Sequence, residues 1–173
     1  MKTGIRQYAV AAVVAVSFSV AASGTAGAQD MGIKIGSAAP AAAVESLEGA
    51  AMDLGKMYGE RPVVLEFWAT WCPLCRKLEP AMQAARTKYA DKVQFVSVGV
   101  PANQSAERQK AYVDKQQIGG QFVFDKDGMA MKAFAVPHTS YVVIVDKGGK
   151  VAYTGVGAEQ DIDAAVQKVL RGQ

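Results

Sequence analysis

The sequence predicts an α/β fold: a central mixed β-sheet flanked by helices, with an extra N-terminal β-hairpin. Two observations predict it. Segments of strand character alternate with segments of helical character in the first half of the chain, and the second half adds a hairpin and a last helix. Strands joined through a helix lie parallel and hairpin strands lie antiparallel, so the sheet is mixed. The length of 173 residues suits one domain and leaves little room for a second.

The first 28 residues have the three parts of a secretory signal peptide. Met1–Tyr8 carries two basic residues and no acid, Ala9–Ala22 is almost continuously apolar, and Ala26-Gly27-Ala28 is a small-residue cleavage site. The apolar run of roughly fourteen residues would span about 21 Å, short of the ~30 Å hydrocarbon core, which favours a cleaved signal over an uncleaved N-terminal anchor. We therefore predict a signal peptide over 1–28 and one domain over 29–173 that works in the periplasm or otherwise outside the cytoplasm.

The charge balance excludes one class of partner. The chain has 19 Lys+Arg and 16 Asp+Glu, and removal of Lys2 and Arg6 with the signal leaves 17 against 16, or +1. A near-neutral domain without a basic run does not fit nucleic-acid binding, which needs clustered positive charge. No oligomerisation segment is evident, so a monomer is the default expectation.

The first half of the domain contains three elements of clear character. Weak alternation over Ala41–Leu54, broken by Glu48-Gly49, predicts a short hairpin. Val63–Ala69 is a β-rich, nearly continuous apolar run of the kind found in the middle of a sheet. Pro73–Ala90 is predicted to be a helix, because six apolar residues are spaced to share a face: Leu74, Leu78, Ala81, Met82, Ala85 and Tyr89.

The second half continues the alternation and then changes to a hairpin. The turn signal Asp125-Lys126-Asp127-Gly128 ends a short strand, and Asp146-Lys147-Gly148-Gly149 joins the two strands of the hairpin. The predicted elements are strand Val93–Val100, helix Ser105–Gln116, strand Gln121–Phe124, strands Tyr141–Val145 and Lys150–Thr154, and helix Asp161–Leu170.

The only two cysteines, Cys72 and Cys75, stand between a strand and a helix. Backbone N–H groups of a first helical turn lack intrahelical partners, and the helix dipole adds positive potential there, so a sulfur at this point is favoured as the thiolate. Pro73 suits the first helical position. We expect Cys72 on the exposed lip of the turn and Cys75 one turn further in, close enough to form a disulfide with it.

Other interpretations of this pair are weaker. A structural disulfide closing so small a loop would stabilise the fold little. A zinc site needs about four ligands, and beyond two Cys and one distant His nothing completes it. Covalent haem attachment needs C-x-x-C-H, but residue 76 is Arg. A redox-active dithiol without a cofactor remains the favoured interpretation.

Residues 63–75, VVLEFWATWCPLC, resemble the active-site segment of thioredoxin-like proteins, and in particular the TlpA/ResA group of exported thiol–disulfide oxidoreductases. The resemblance covers about Ile35–Leu170 and includes the opening Gly36–Pro40 and the helix proline Pro80. It implies a thioredoxin-like fold, with Cys72 as nucleophile and Cys75 as resolving cysteine. It also implies cysteine-containing exported proteins as substrates and, for a reductant, a membrane electron donor.

Glu66 lies inside the apolar strand, six residues before Cys72. Members of this group often carry a buried acid here, behind the second cysteine. A desolvated carboxyl has a raised pKa and can exchange a proton with Cys75 as the disulfide opens and closes. The alternative is an end-of-strand Glu that reaches water.

The segment Val136–Tyr141 departs from the family pattern. Thioredoxin-like folds place a cis-proline opposite the C-x-x-C, and gap-free counting puts Ser140, not Pro137, at that position. Either the loop shifts to use Val136-Pro137, or Thr139-Ser140 holds a strained or trans bond. His138, the only histidine, lies in this loop and could stabilise a thiolate or be a bystander. We expect Trp68 to be buried and the substrate surface to comprise Trp71, Pro73, Pro137, His138, Thr139 and Ser140.

The leading interpretation is a thiol–disulfide oxidoreductase, more in keeping with a reductant than an oxidant. Two alternatives remain. A Cu(I) metallochaperone would hold copper between Cys72 and Cys75, although related copper proteins usually have a C-x-x-x-C spacing. A peroxiredoxin-like peroxidase is less favoured, because Thr70 lies only two residues before Cys72 and the C-x-x-C is flanked by tryptophan.

Overall fold

The fold is taken from a computed structural model that describes Met1 and residues 31–172. The expected signal peptide and its cleavage site lie outside the described residues. The strands are β1 Ala43–Ser46, β2 Ala51–Asp53, β3 Val63–Trp68, β4 Gln94–Gly99, β5 Gln121–Phe124, β6 Tyr141–Val145 and β7 Val151–Val156. The α-helices are α1 Pro73–Lys88, α2 Ala106–Gln116, α3 Met129–Ala133 and α4 Ile162–Leu170, with a 3₁₀ turn over Leu54–Met57.

The strands of the described chain form one mixed sheet in the order β2-β1-β5-β4-β3-β6-β7. The central strands β3, β4 and β5 run parallel, while the hairpin β6–β7 and the N-terminal hairpin β1–β2 add antiparallel strands at the two edges. The predicted mixed α/β sheet with an extra N-terminal hairpin is thus confirmed. Parallel strands bring their carboxyl ends to one edge, and the turn after β3 that contains the cysteines lies there.

Alternating residues of the central strands point to two separate cores. On β3, Val63, Leu65 and Phe67 face a core shared with α2 and α3, whereas Val64 faces a second core shared with α1 and α4. Glu66 has the same parity as Val64 and therefore lies on the α1 side of the sheet. In the register of the sheet it stands opposite Ser97 of β4 and Val142 of β6.

Two features of the fold differ from the sequence prediction. The short helix α3 is absent from that prediction; buried Asp125 accepts hydrogen bonds from the backbone N–H groups of Ala130 and Met131 in its first turn. Two of the six residues expected on the buried face of α1, Leu74 and Ala81, are exposed. Leu74 lies in the first turn, and the buried positions of α1 begin at Cys75 and Leu78.

None of the helices in the described part of the chain is both long and apolar enough to cross a membrane.

Candidate active site

Cys72 and Cys75 form a disulfide at the N-terminus of α1, with their Cα atoms 5.4 Å apart. Cys72 is the N-cap residue, and Pro73 occupies the first turn, where its missing N–H costs nothing. The backbone N–H of Cys75 donates to Sγ of Cys72 over 3.0 Å. This first-turn amide has no partner within the helix and is directed at the sulfur of Cys72. The arrangement stabilises a thiolate on Cys72 once the disulfide opens.

The expected exposure of Cys72 is wrong for this oxidised state. Cys72 is only 2% exposed and Cys75 only 4%. Both belong to the core cluster that includes Trp68 and Ala69, so the turn carries the sulfurs against the sheet rather than away from it. A substrate must reach Cys72 through the residues that surround it.

The turn before the disulfide is tied to the loop that follows β4. The indole N–H of Trp71 donates to the carbonyl of Ala102 over 2.7 Å. Gln104 accepts from the backbone N–H of Thr70 over 2.9 Å and donates to the carbonyl of Val100 over 2.6 Å. Sequence reasoning missed Gln104, since a polar residue in a polar loop carries no distinctive signal.

Exposed apolar side chains border the cysteines. Trp71 is 40% exposed and Leu74 is 43% exposed, while Trp68 is buried, as expected. Large apolar residues on a surface indicate a contact site when they are grouped. Trp71, exposed Pro73 and Leu74 follow one another around the disulfide, and we name these three residues the apolar rim.

Glu66 is buried, 2% exposed, and so does not reach water as the alternative interpretation required. Burial raises the pKa of its carboxyl to about 8; the positive charge of Arg86 opposes this rise and the negative charge of Glu79 adds to it. In the disulfide form Glu66 is therefore mostly a carboxylic acid at neutral pH.

Arg86 of α1 is the cation behind Glu66. Its Nη2 lies 3.6 Å from Oε2 of Glu66 and donates to Oγ of Ser97 over 3.2 Å, while Nη1 pairs with Oε1 of Glu79. Sequence reasoning missed both Arg86 and Glu79. Their separation of seven residues places them on one helix face and was the available signal.

A small cavity of about 20 Å³ connects the buried acid with the resolving cysteine. Its lining residues include Glu66, Cys75 and Glu79. The volume is about that needed by one water molecule, roughly 10–15 Å³, and the lining is more apolar than polar. The carboxyl of Glu66 and the resolving cysteine therefore border one shared, mainly apolar space.

The loop before β6 lies at the same end of the sheet as the disulfide. The backbone N–H of Ser140 donates to the carbonyl of Phe67 over 2.8 Å, and the carbonyl of Ser140 accepts from Gly157 and from the side chain of Gln160. No cis peptide bond occurs in residues 31–172, so both Val136-Pro137 and Thr139-Ser140 are trans. Ser140 instead adopts the left-handed conformation, with φ +66°.

The predicted substrate-contact residues of this loop differ in their exposure. Ser140 is fully buried, so in this conformation it offers no surface to a substrate, contrary to expectation. His138 is exposed, and Pro137 and Thr139 are partly exposed, so all three remain candidates for contact. Among residues 31–172, no three His, Cys, Asp or Glu side chains are grouped as a metal ion would require.

Comparison with known proteins identifies the family of this chain. The family model described as Redoxin matches residues 34–170. The chain belongs to the Redoxin family. The resemblance to thioredoxin-like thiol–disulfide oxidoreductases inferred from the sequence is thereby confirmed, and the protein is an enzyme of that class.

Individual relatives agree with this assignment. The chain is 31% identical over 121 residues to the thioredoxin-like protein YneN of Bacillus subtilis, covering 69% of this chain and 71% of the relative. It is 31% identical over 119 residues to the thiol–disulfide oxidoreductase ResA of Bacillus thuringiensis, covering 69% and 68%. The crystal structure of the thioredoxin domain of a thiol–disulfide oxidoreductase from Bacteroides vulgatus superposes with a TM-score of 0.68 at 20% identity, covering 79% of this chain and 99% of that domain, and it shows the thioredoxin-like fold.

Proposed function

We propose that the protein exchanges electrons with cysteines of exported proteins outside the cytoplasm, acting as a reductant through the Cys72–Cys75 pair. The observation that carries the proposal is the placement of one disulfide at a helix N-terminus, with a buried carboxyl that lines the same small cavity as Cys75. A structural disulfide needs neither feature. The dithiol holds both electrons of the reaction, so the steps below require no cofactor.

In the first step the Cys72 thiolate attacks one sulfur of a substrate disulfide. A mixed disulfide forms, the substrate disulfide breaks, and the other substrate sulfur leaves as a thiolate that takes a proton from water. The N–H of Cys75 and the positive end of the α1 dipole stabilise the negative charge on Cys72 before the attack.

In the second step Cys75 resolves the mixed disulfide. The Cys75 thiol gives its proton to the carboxylate of Glu66 across the shared cavity, and the resulting thiolate attacks Sγ of Cys72. The Cys72–Cys75 bond forms and the substrate leaves with two electrons gained. Glu66 ends as the carboxylic acid, the state that its raised pKa favours in the disulfide form.

Return to the dithiol reverses the proton transfer. A donor thiolate attacks Cys72 and forms a mixed disulfide with it, and the departing Cys75 thiolate receives the proton of Glu66. A second thiolate of the donor then attacks the donor sulfur, so that the donor is oxidised to a disulfide and Cys72 leaves as a thiolate. An oxidising compartment does not supply these electrons, so a reductant there needs a donor, which we place in the membrane. The proposed location rests on the signal-peptide pattern of residues 1–28, and the proposed direction rests on the resemblance to TlpA/ResA-type proteins.

Substrate trapping tests the proposal directly. A Cys75→Ser variant retains the attacking sulfur but lacks the resolving one, so it should accumulate mixed disulfides on Cys72 when expressed with its signal peptide. Cys72→Ser is the matched control and should trap none. Absence of mixed disulfides while Cys72 still reacts with an alkylating agent would rule out protein disulfides as substrates.

A reduction potential measured on the purified protein decides the direction. Equilibration with glutathione or dithiothreitol should give a potential nearer to that of thioredoxin, about −270 mV, than to that of a strong oxidant such as DsbA, about −120 mV. A value near the latter would assign the protein as an oxidant.

A further inference from the structure

The guanidinium of Arg86 contacts two carboxylates unequally. It donates a close, charge-assisted hydrogen bond to Glu79, whereas its nearest distance to Glu66 is 3.6 Å, beyond hydrogen-bonding range. The nitrogen that faces Glu66 is also the one that donates to Ser97. The buried acid thus has a cation nearby that is committed to other partners.

Hydrogen bonds to three side chains hold Arg86 in this position. Gln83 accepts from Nη1 over 3.4 Å, in addition to the bonds to Glu79 and Ser97. Arg86 itself is buried. Movement of its guanidinium toward Glu66 would weaken its contact with Glu79.

We infer that Glu79 is a positioning residue which, by holding Arg86 away from Glu66, sets how readily Glu66 exchanges a proton with Cys75. This inference rests on the proposed role of Glu66 in the Cys75 step. Full pairing with Arg86 would keep Glu66 ionised and unable to protonate Cys75 on disulfide opening. Without Arg86 the pKa of Glu66 would rise further, and a smaller fraction of the carboxyl would be ionised and able to accept the Cys75 proton. Because Arg86 is shared between Glu79 and Glu66, Glu66 can both give a proton to Cys75 and accept one from it.

The charged and titratable groups around the cavity define what else could act. They are Glu66 from β3, Tyr112 from α2, and Cys75, Arg76, Glu79 and Arg86 from α1, of which Arg86 stands behind the cavity rather than in its lining. Arg76 directs a nitrogen at the carbonyl of Thr70 over 3.4 Å. Among these groups Glu79 is the anion that competes with Glu66 for a shared partner.

The test is a pH titration of the Glu66 carboxyl carbon by NMR in the disulfide form of the protein, where the cysteines do not titrate. Glu79→Gln should lower the midpoint of Glu66 by about one pH unit, because Arg86 becomes free to pair with Glu66 and the repulsion from the Glu79 charge is lost. Glu79→Asp, which keeps the charge, should restore most of the wild-type midpoint. Arg86→Gln should move the midpoint upward. Glu60→Gln removes the same charge from an exposed loop and should leave it unchanged.

Loosening of the fold would also hydrate Glu66 and lower its midpoint, so a second measurement separates the two causes. Amide hydrogen exchange of β3 and the thermal midpoint should match the wild type in Glu79→Gln. A midpoint that stays at the wild-type value or rises in this variant, or one that falls only together with loss of exchange protection, overturns the inference.

The pH profile of disulfide opening by dithiothreitol distinguishes this inference from the proposed function. In the wild type the rate of opening should change with pH at the midpoint of Glu66. Glu79→Gln should displace this pH step, and Glu66→Gln should remove it. If the step persists in Glu66→Gln, the proposed role of Glu66 fails and the inference fails with it. If the step disappears in Glu66→Gln but is not displaced in Glu79→Gln, the role of Glu66 stands and the positioning role of Glu79 is refuted.

Discussion

Glu66 and Cys75 line the same cavity of about 20 Å³, one from the middle of a buried strand and the other from the first turn of α1. A carboxyl in a strand would be costly to bury if it had to stay ionised. Protonation avoids burying a charge, because the neutral acid is the form that the raised pKa favours in the disulfide state. The same burial therefore costs stability at neutral pH and keeps a proton available for Cys75.

We expect Glu66→Gln to slow the Cys75-dependent step by roughly 10²-fold, the low end of the effect of losing a general acid or base. Attack by Cys72 on a small aromatic disulfide should be almost unaffected, since Cys72 does not depend on Glu66 for its proton. Stopped-flow release of the two product thiols from this disulfide separates the steps, the first reporting Cys72 and the second Cys75. Equal slowing of both phases would contradict the assignment.

The stability of the oxidised protein should fall as pH rises from about 4.5 to about 8. The unfolded chain loses the Glu66 proton near the ordinary value of 4.5, while the folded chain keeps it until about 8. Over this window the folded state binds one more proton than the unfolded state, so each step in pH favours unfolding. Urea unfolding at a series of pH values measures the slope. Glu66→Gln should flatten it, and Glu60→Gln should not.

Much of the fold follows from local patterns in the sequence. Continuous apolar runs predict β3 and the hairpin strands, and Cys72-Pro73 marks the start of α1 because a cap and a proline fit that position. Helix α3 escapes prediction because its N-cap is Gly128, and the side chain that binds its first amides is Asp125, five residues ahead of Ala130. That distance exceeds the usual spacing of N-terminal helix signals.

The candidate site is only partly contained in the motif. Cys72, Cys75 and Glu66 can be assigned from one segment, since they lie within ten residues of one another. The contacts of Arg86 and the hydrogen bonds of Gln104 depend on how α1 and the loop after β4 pack on the sheet. The conformation of Ser140 depends on hydrogen bonds to β3 and to Gln160, which are distant in sequence. The spacing of Glu79 and Arg86 shows only that they share a helix face, and the residues that they and these loops contact leave no local signal.

The apolar rim of Trp71, Pro73 and Leu74 should serve protein substrates and not small ones. We expect Leu74→Ser to raise KM for reduction of a protein disulfide about tenfold, since burying part of a leucine side chain against a partner contributes around 1.4 kcal/mol. Rates with a small aromatic disulfide should stay at the wild-type value. Insulin reduction and the small-disulfide assay, run side by side, give the comparison.

Leu170→Ser is the matched control for the apolar rim. Leu170 is also exposed, at 38%, and it ends α4. Its neighbour Val169 lines a groove together with Asp146, which follows β6. That end of β6 is the one further from the disulfide, so Leu170 lies away from the apolar rim. This variant should not change KM for the protein substrate. Similar losses in Leu74→Ser and Leu170→Ser would mean that general surface polarity, and not the rim, governs the rate.

Ser140→Gly should stabilise the oxidised protein by up to about 1 kcal/mol. Ser140 has φ +66°, a conformation that costs an L-residue roughly 1–2 kcal/mol and glycine almost nothing, although glycine gives part of this back through the entropy of the unfolded chain. The substitution also removes a buried hydroxyl that has no hydrogen-bond partner in the described residues.

Ser140→Pro should act in the opposite direction and destabilise by about 3 kcal/mol or more. Proline requires φ near −65° and lacks the N–H that Ser140 donates to Phe67 over 2.8 Å. Thr139→Gly is the control: Thr139 does not have a positive φ, so glycine there should be neutral or destabilising. Chemical denaturation of the four proteins with the disulfide intact should rank Ser140→Gly above the wild type and Ser140→Pro below it. A proline variant as stable as the wild type would show that the loop has a second low-energy arrangement, in which residue 140 no longer bonds to β3.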